Sequence, residues 1–413
     1  MDQEYFNMPN PRPTEKQLKF MDWELGVFFH FGIRTFYEGH KDWDNKSMPL
    51  EGFNPTGLDC GAWIKTVKAA GAKYAILVCK HHDGFANWPS KYTEYAVHNT
   101  PWKNGKGDVV REFTDACREH GVGVGLYYSP AQWDNKKTLT SEEYNGYFIA
   151  QLSELLVNYG KIDYLWLDGC GSENFTFEPD RIVAEIRRLQ PDICLFHMFS
   201  PDTRWAGNEA GYAYVDNTAA VSGVISPDVD FGEKRFLPVE CPCMMRDVNW
   251  FYSEYDVCAV KSVEELTGMY YHSVGNGANL LINIGPDRRG LLPETDSGRL
   301  IEFGDEIKRR FANPLPAEYI PSNDGCLIKL QGERLINHVV LREDLTDGEK
   351  IKSFDVYAKG GRIYNKVMIY SGKYLGHKRI VTFAPVRASE VVITVDAEAG
   401  FKLLPPEVFY IKS

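Results

Sequence analysis

The sequence predicts an α/β protein, a (β/α)8-like barrel over residues 1–313 followed by a C-terminal β-sandwich over residues 314–413. Three observations carry that prediction. Apolar strand-like runs alternate with helix-like segments from about residue 20 to about residue 312, the pattern of repeated βα units with a parallel sheet inside and helices outside. Seven or eight such units in about 290 residues suit a closed barrel. After Asn313-Pro-Leu-Pro316 the texture changes to short alternating runs separated by turn residues, which suits a small all-β module.

The elements follow in order. Gly26-Val-Phe-Phe-His30 is a strand, Cys60 to Ala70 a helix, and Lys73 to Cys79 a strand with an almost unbroken apolar run. Asp108 to His120 is a helix, Val122 to Ser129 a strand, and Ser141 to Tyr159 a helix. Tyr164 to Leu167 is a strand, Glu178 to Gln190 a helix with apolar residues at 3–4 spacing, and Ile193 to Met198 a strand. The pattern blurs between about 200 and 260. It resumes with a helix from Ser262 to Val274, a strand from Asn279 to Ile284 and a helix from Asp296 to Phe311. In the last hundred or so residues, Cys326-Leu-Ile-Lys-Leu, Val339-Val-Leu, Phe354-Asp-Val-Tyr, Lys366-Val-Met-Ile-Tyr and Val391-Val-Ile-Thr-Val are strands.

A doubly wound open sheet is the competing architecture. The first strand is followed by Phe31-Gly32 and not by a glycine-rich phosphate loop, which counts against a nucleotide-binding version. The formal net charge of -11 argues against nucleic acid as a partner. No stretch approaches 18 uninterrupted apolar residues, so no membrane span is expected. Met1-Asp-Gln-Glu-Tyr has no apolar leader segment, and the nine cysteines form no disulfide-like framework. Together these favour a cytoplasmic protein, although a secreted form trimmed of its leader would look the same.

In a barrel the chemistry sits at the C-terminal ends of the strands. Strand one ends in His30, strand two in Lys80-His-His-Asp-Gly84, strand three in Tyr127-Tyr-Ser129, and strand four in Asp168, which is followed by Gly169-Cys-Gly171. Arg235-Phe-Leu-Pro-Val-Glu240 lies near the sixth strand. Asp168 also suits a helix N-cap at the start of a βα loop. Three histidines and a carboxylate suit a metal centre, but adjacent histidines on a strand point to opposite faces, and neither H-x-H nor H-E-x-x-H is present. No metal and no cofactor is therefore expected. The better reading is a polar pocket for a polyol, since neutral imidazoles offer a donor and an acceptor to ring hydroxyls. Two separated carboxylates in such a pocket are the machinery of glycoside hydrolysis.

Phe29-His-Phe-Gly32, Phe53-Asn-Pro-Thr56, Ala70-Gly-Ala-Lys-Tyr74, Lys80-His-His-Asp-Gly-Phe85, Trp88-Pro-Ser-Lys-Tyr92, Gly125-Leu-Tyr-Tyr-Ser129 and Leu165-Trp-Leu-Asp-Gly169 follow one another in this stretch. Together they resemble the α-L-fucosidases of glycoside hydrolase family 29. Others are similar to the subfamily that acts on branched α-1,3/1,4-linked fucose: Pro101 to Arg111, Pro201-Asp-Thr-Arg-Trp-Ala-Gly-Asn-Glu209, Pro238-Val-Glu240, Trp250-Phe-Tyr252, Asn283 to Gly290 and Tyr374-Leu-Gly-His-Lys-Arg379.

The resemblance implies a retaining exo-α-L-fucosidase acting on Lewis-type oligosaccharides. It implies Asp168 as nucleophile and Glu240 as general acid/base. It places His30, Asp42, Trp43, His81, His82, Tyr127 and Trp250 around the fucose, and Arg204, Trp205 and Glu209 in a loop facing the neighbouring sugars. There are departures. Asp42-Trp43 stands where the subfamily usually has Glu-Trp, and Cys241-Pro-Cys-Met-Met-Arg246 replaces a more polar run after Glu240. Three other readings remain open. They are a broad-specificity fucosidase, a transfucosidase sharing the same site, and an inactive fucose-binding protein. The C-terminal module is expected to act as a buttress rather than as a sugar-binding accessory.

Overall fold

The structure, a computed structural model, describes residues 11–39, 44, 46–131, 139–172, 175–226, 229–360 and 364–412. Helix α1 (Glu15–Trp23) leads into strand β1 (Leu25–Phe29). Helix–strand pairs follow: α2 (Cys60–Ala69) and β2 (Tyr74–Lys80), α3 (Val109–His120) and β3 (Gly123–Tyr128), α4 (Ser141–Asn158) and β4 (Tyr164–Leu167), α5 (Pro179–Leu189) and β5 (Cys194–Phe196). Then come β6 (Arg204–Trp205), a hairpin of β7 (Ala220–Ser226) and β8 (Val229–Phe236), β9 (Val239–Met244), α6 (Val263–His272), β10 (Asn279–Asn283) and α7 (Glu294–Phe311).

Eight parallel strands form one sheet in the order β5-β4-β3-β2-β1-β10-β9-β6. Thr203, just before β6, bridges Phe196 of β5 in parallel, so the sheet all but closes into the expected barrel. The blurred stretch of sequence has a structural cause. Strand β6 is two residues long, and among the described residues no helix separates β5 from β6 or β6 from β9. A two-stranded hairpin stands in place of a helix there.

Side-chain direction alternates along each strand. Leu25, Val27 and Phe29 of β1 pack outward against the helices, with Ala75, Leu77, Leu165 and Leu167. Phe28, Tyr74, Ile76, Val78, Tyr127, Tyr164, Trp166 and Phe196 face inward and fill the barrel. Helix α1 closes the N-terminal end. Its Phe20 ring packs 5.2 Å from Tyr164, and Gln17 Nε2 donates to the carbonyls of Asp202 and Phe236.

Gly26 of β1 is required by this filling. A Cβ there would lie 2.3 Å from the Tyr74 ring, which is fully buried. Overpacking of this kind typically costs about 1–3 kcal/mol. Gly26→Ala is therefore expected to lower the melting temperature by several degrees, and a melt indistinguishable from wild type would show that the Tyr74 ring is free to move.

The C-terminal domain comprises β11 (Ala317–Ser322), β12 (Gly325–Leu341), β13 (Ile351–Gly360), β14 (Tyr364–Lys373), β15 (Arg379–Ala397) and β16 (Glu407–Phe409). All pairings are antiparallel. The long strands β12 and β15 shift register between Lys329 and Arg334, and such irregularities bend a ladder. One half of this pair carries β11, β13 and β14, and the other carries β16, so the two leaves expected of a sandwich belong to one bonded sheet. The domain is tied to the barrel by Lys378, whose Nζ lies 2.7 Å from Glu24 Oε2, and by Glu349, which accepts from the Ala219 N–H and the Thr218 hydroxyl. Among the described residues no helix is long and apolar enough to cross a membrane.

Candidate active site

The C-terminal ends of β1 to β4 bring His30, His81, His82, Tyr127 and Asp168 together: His30, Tyr127 and Asp168 stand at or just past the ends of β1, β3 and β4, and His81 and His82 follow β2, whose register shifts between Val78 and Lys80. Asp168 Oδ2 accepts the Tyr127 hydroxyl at 2.8 Å, and Oδ1 accepts the Cys170 N–H at 3.0 Å. Both oxygens are thus held, while the side chain stays 26% exposed, so the carboxylate is oriented and open to a ligand. His82 Nε2 lies 3.6 Å from Asp168 Oδ2. Its other ring nitrogen, Nδ1, meets Ser129 Oγ at 2.6 Å, and that oxygen also accepts the Ala131 N–H. With the hydroxyl donating to Nδ1, the imidazole proton sits on Nε2 and faces Asp168.

The histidines are held neutral. Burial pushes the His30 pKa down to about 3, against the opposing hydrogen bond to Asn283. Burial lowers His81 well below the usual range, helped by the neighbouring His82 and His30. Burial also lowers His82, with Asp168 opposing it. His30 Nδ1 is 2.7 Å from Asn283 Oδ1, and Asn283 Nδ2 donates to the Trp250 carbonyl. This fixes the Trp250 ring 4.9 Å from the His30 ring. His81 stacks on Tyr127 at 5.7 Å, and its buried Nδ1 finds no hydrogen-bond partner in the protein. The pocket is therefore lined by neutral imidazoles and aromatic rings around one oriented carboxylate.

Two buried ion-pair systems hold this rim. Arg34, fully buried, donates through Nε to Asp83 Oδ2 at 3.0 Å, and Asp83 Oδ1 accepts the Phe85 N–H. That turn fixes the backbone just after His81 and His82. Arg246 forks onto Asp296 at 2.8 Å and reaches Asp256 and the Ser253 carbonyl, which anchors the loop carrying Trp250.

Glu240, expected as the general acid/base, lies away from this rim. It is the second residue of β9, paired with Asn279 at the start of β10, so it enters the barrel at the N-terminal end. Its carboxyl has no exposed surface and accepts from Tyr74 OH at 2.6 Å, Trp166 Nε1 at 2.7 Å and Tyr164 OH at 3.3 Å. The Tyr74 and Tyr164 rings rest on the Phe20 plug. Burial pushes the Glu240 pKa up to about 7 despite these donors. A raised pKa is what a general acid requires, but this carboxyl is sealed beneath Trp166.

The loop expected to face the neighbouring sugars divides. Arg204 turns away from the pocket, and its Nη2 donates to Asn217 Oδ1 and the Thr218 carbonyl on the side of the C-terminal domain, which removes it from the expected sugar contacts. Trp205 packs against the inner barrel cluster with its ring 6.0 Å from His197, and its Nε1 donates to the Asn208 carbonyl. The chain then climbs beside β9, from the Ala206 N–H on the Glu240 carbonyl to the Gly211 N–H on the Pro242 carbonyl. Glu209 is exposed in the loop after β6, just before Ala210 pairs antiparallel with Cys243 of β9. Asp42 and Trp43 lie outside the described residues.

The matching sequence profile is that of the α-L-fucosidases, and it spans residues 5–310. The chain belongs to the α-L-fucosidase family. It is 31% identical to the alpha-L-fucosidase 1 of Arabidopsis thaliana over 91% of this chain and 82% of that one. Its fold is similar to the crystal structure of a putative alpha-L-fucosidase from Bacteroides thetaiotaomicron, with 33% identity, a TM-score of 0.84 and 97% of each chain covered. It is also similar to a glycoside hydrolase family 29 member from a rumen bacterium, with 31% identity, a TM-score of 0.89 and 98% and 78% coverage. This fucosidase is a glycoside hydrolase, and its barrel carries the polar pocket.

Asn283, Ser129 and Trp166 orient the pocket residues and were not singled out from the sequence. Asn283 stood in the sequence as the first residue of the Asn283 to Gly290 motif and as the polar end of an otherwise apolar strand, Leu280-Leu-Ile-Asn283, with no role attached.

Among the histidines, His82 stands within 3.6 Å of the Asp168 carboxylate and is expected to bind rather than to act as a base. His82→Ala is expected to lower kcat/KM about 5- to 150-fold, the effect of a lost buried hydrogen bond worth about 1–3 kcal/mol. A loss on the scale of Asp168 removal would make it a catalytic base.

Proposed function

We propose that the protein is a retaining exo-α-L-fucosidase that removes α-1,3/1,4-linked L-fucose from branched, Lewis-type oligosaccharides, with Asp168 as nucleophile and Glu209 as general acid/base. The observation that carries the reading is Asp168 itself, held through both oxygens and open at the mouth of a pocket of neutral histidines. Asp168 attacks the anomeric carbon as the glycosidic oxygen leaves with a proton from the acid, and a covalent fucosyl-enzyme forms. The acid's conjugate base then takes a proton from water, which attacks and releases fucose with retained configuration.

Glu209 is assigned the acid role because it is an exposed carboxylate in the loop that follows β6, whereas Glu240 is fully buried. Strand β6 follows β5, which pairs with β4, so the two strands are about 10 Å apart. A retaining pair requires the two carboxyl groups to stand roughly 5–5.5 Å apart when sugar is bound. His30, His81, His82 and Tyr127 are suited to the fucose hydroxyls, and the unpartnered His81 Nδ1 gains its missing hydrogen bond from one of them. Trp250 offers an apolar face to the C6 methyl. A Ruminococcus gnavus fucosidase of similar fold, at 26% identity and a TM-score of 0.84, holds fucose in its crystal structure.

The branched specificity rests on the motif resemblance around Pro101 to Arg111 and Pro201 to Glu209. Free fucose released from a Lewis-type trisaccharide, set beside release from an aryl fucoside, tests it. Release mainly from the trisaccharide is expected. A preference for the aryl fucoside overturns the linkage and leaves the α-L-fucosidase family membership intact.

A further inference from the structure

Glu240 is a buried carboxyl inside the barrel that the reaction scheme does not use. Its position connects it to the nucleophile through two rings. Trp166 Nε1 donates to Glu240 Oε2 at 2.7 Å. The indole is stacked on Phe196 of β5 at 4.0 Å and 13°, and on Tyr127 of β3 at 5.4 Å and 26°. Since β4 lies between β3 and β5, the indole is sandwiched between those two rings. Tyr127 in turn donates its hydroxyl to Asp168 Oδ2 at 2.8 Å. Tyr74 and Tyr164 hold the carboxyl from the other side, and Gly26 leaves the room that Tyr74 needs.

We propose that Glu240 is a positioning residue for the fucosidase reaction: it fixes the Trp166 indole from below, and through that indole the Tyr127 ring whose hydroxyl orients Asp168. The proposal rests on Asp168 being the nucleophile. An acceptor at the indole N–H selects one ring orientation out of those the stack would tolerate. Without it the N–H is left unpaired in an apolar layer, and the ring turns to find another partner. The turned indole shifts Tyr127, and small misplacements of a reacting group cost up to about 10²-fold in rate. Burial raises the Glu240 pKa to about 7, and the group accepts hydrogen bonds in either protonation state through at least one oxygen.

The test uses the full chain and an aryl fucoside, with kcat and KM measured for Glu240→Gln and Glu240→Leu, each alone and combined with Tyr127→Phe. Gln keeps a carbonyl acceptor for the indole N–H, and kcat is expected to stay within about threefold of wild type. Leu removes it, and kcat is expected to fall about 10- to 100-fold with KM nearly unchanged. The Leu effect should largely vanish in the Tyr127→Phe background, since both changes break the same link.

Equal losses from Leu in both backgrounds would overturn the proposal, as would a Leu variant with wild-type kcat. A Gln variant more than about 10³-fold slower would also overturn it and would return Glu240 to the acid role. If Glu240→Leu does not fold, Trp166→Phe tests the same link, with a fall in kcat that is likewise absent beside Tyr127→Phe. Failure of the underlying reading is separable. A 2-fluoro-fucosyl inactivator that labels a residue other than Asp168 in the wild-type enzyme overturns the nucleophile, whatever the Glu240 variants do.

Discussion

Asp168→Gly is expected to lower kcat by about 10³- to 10⁵-fold, about 4–7 kcal/mol of barrel-held reactivity. The carboxylate is the group to which Tyr127 and the Cys170 N–H are aimed, and the glycine behind it leaves the loop free to form the same turn. Added azide should restore turnover by filling the space left by the carboxylate and attacking the anomeric carbon directly. One displacement inverts configuration, so the product should be the β-fucosyl azide. Retention of most of the wild-type rate, or an α-configured azide product, would remove Asp168 from the covalent step. Near-ultraviolet circular dichroism matching wild type would show that the aromatic stack is intact and that the loss is chemical.

Glu209→Ala is expected to lower kcat on an oligosaccharide by about 10²- to 10⁴-fold, the usual contribution of a positioned proton donor. The loss should be much smaller on an aryl fucoside with a good leaving group, which departs without a proton. Azide should accelerate that variant by attacking the covalent intermediate, and two successive inversions give the α-fucosyl azide. The opposite configurations of the two rescue products distinguish the two carboxylates without any structural measurement. Equal loss on both substrates, with no azide effect, would place Glu209 among the residues that merely bind the neighbouring sugar. Trp205 Nε1 and the Asn208 side chain brace the turn around Glu209, and Gly207 and Gly211 take positive φ angles on either side of it.

Motif resemblance assigned the general acid/base to Glu240 and placed Glu209 in the loop facing the neighbouring sugars. Glu240 and Glu209 both stand in stretches similar to the subfamily. What separates them is height along the barrel axis. A carboxylate at the second residue of a strand enters the N-terminal layer, and one on the loop past a strand end stands at the mouth. Strand β9 begins at Val239, one residue before Glu240. Its start is hidden in sequence because the preceding hairpin has no helix to mark the boundary. Arg204 was misplaced for a related reason. It heads a two-residue strand, too short to show an alternation from which a facing direction could be inferred.

The sequence by itself determined the barrel, its strands β1 to β5 and β10, the all-β module after Pro316, and the cluster of His30, His81, His82, Tyr127 and Asp168. These are local properties. A buried parallel strand is a continuous apolar run, and a polar residue at its C-terminal end stands out against it. Only the tertiary structure decided which polar groups orient that cluster and that Glu240 is buried beneath it. Asn283 meets His30 across 253 residues of sequence, and Glu240 meets Tyr74 across 166. Such partners come from strands brought together by barrel closure, and the register that sets their heights is a property of the closed sheet rather than of any one strand.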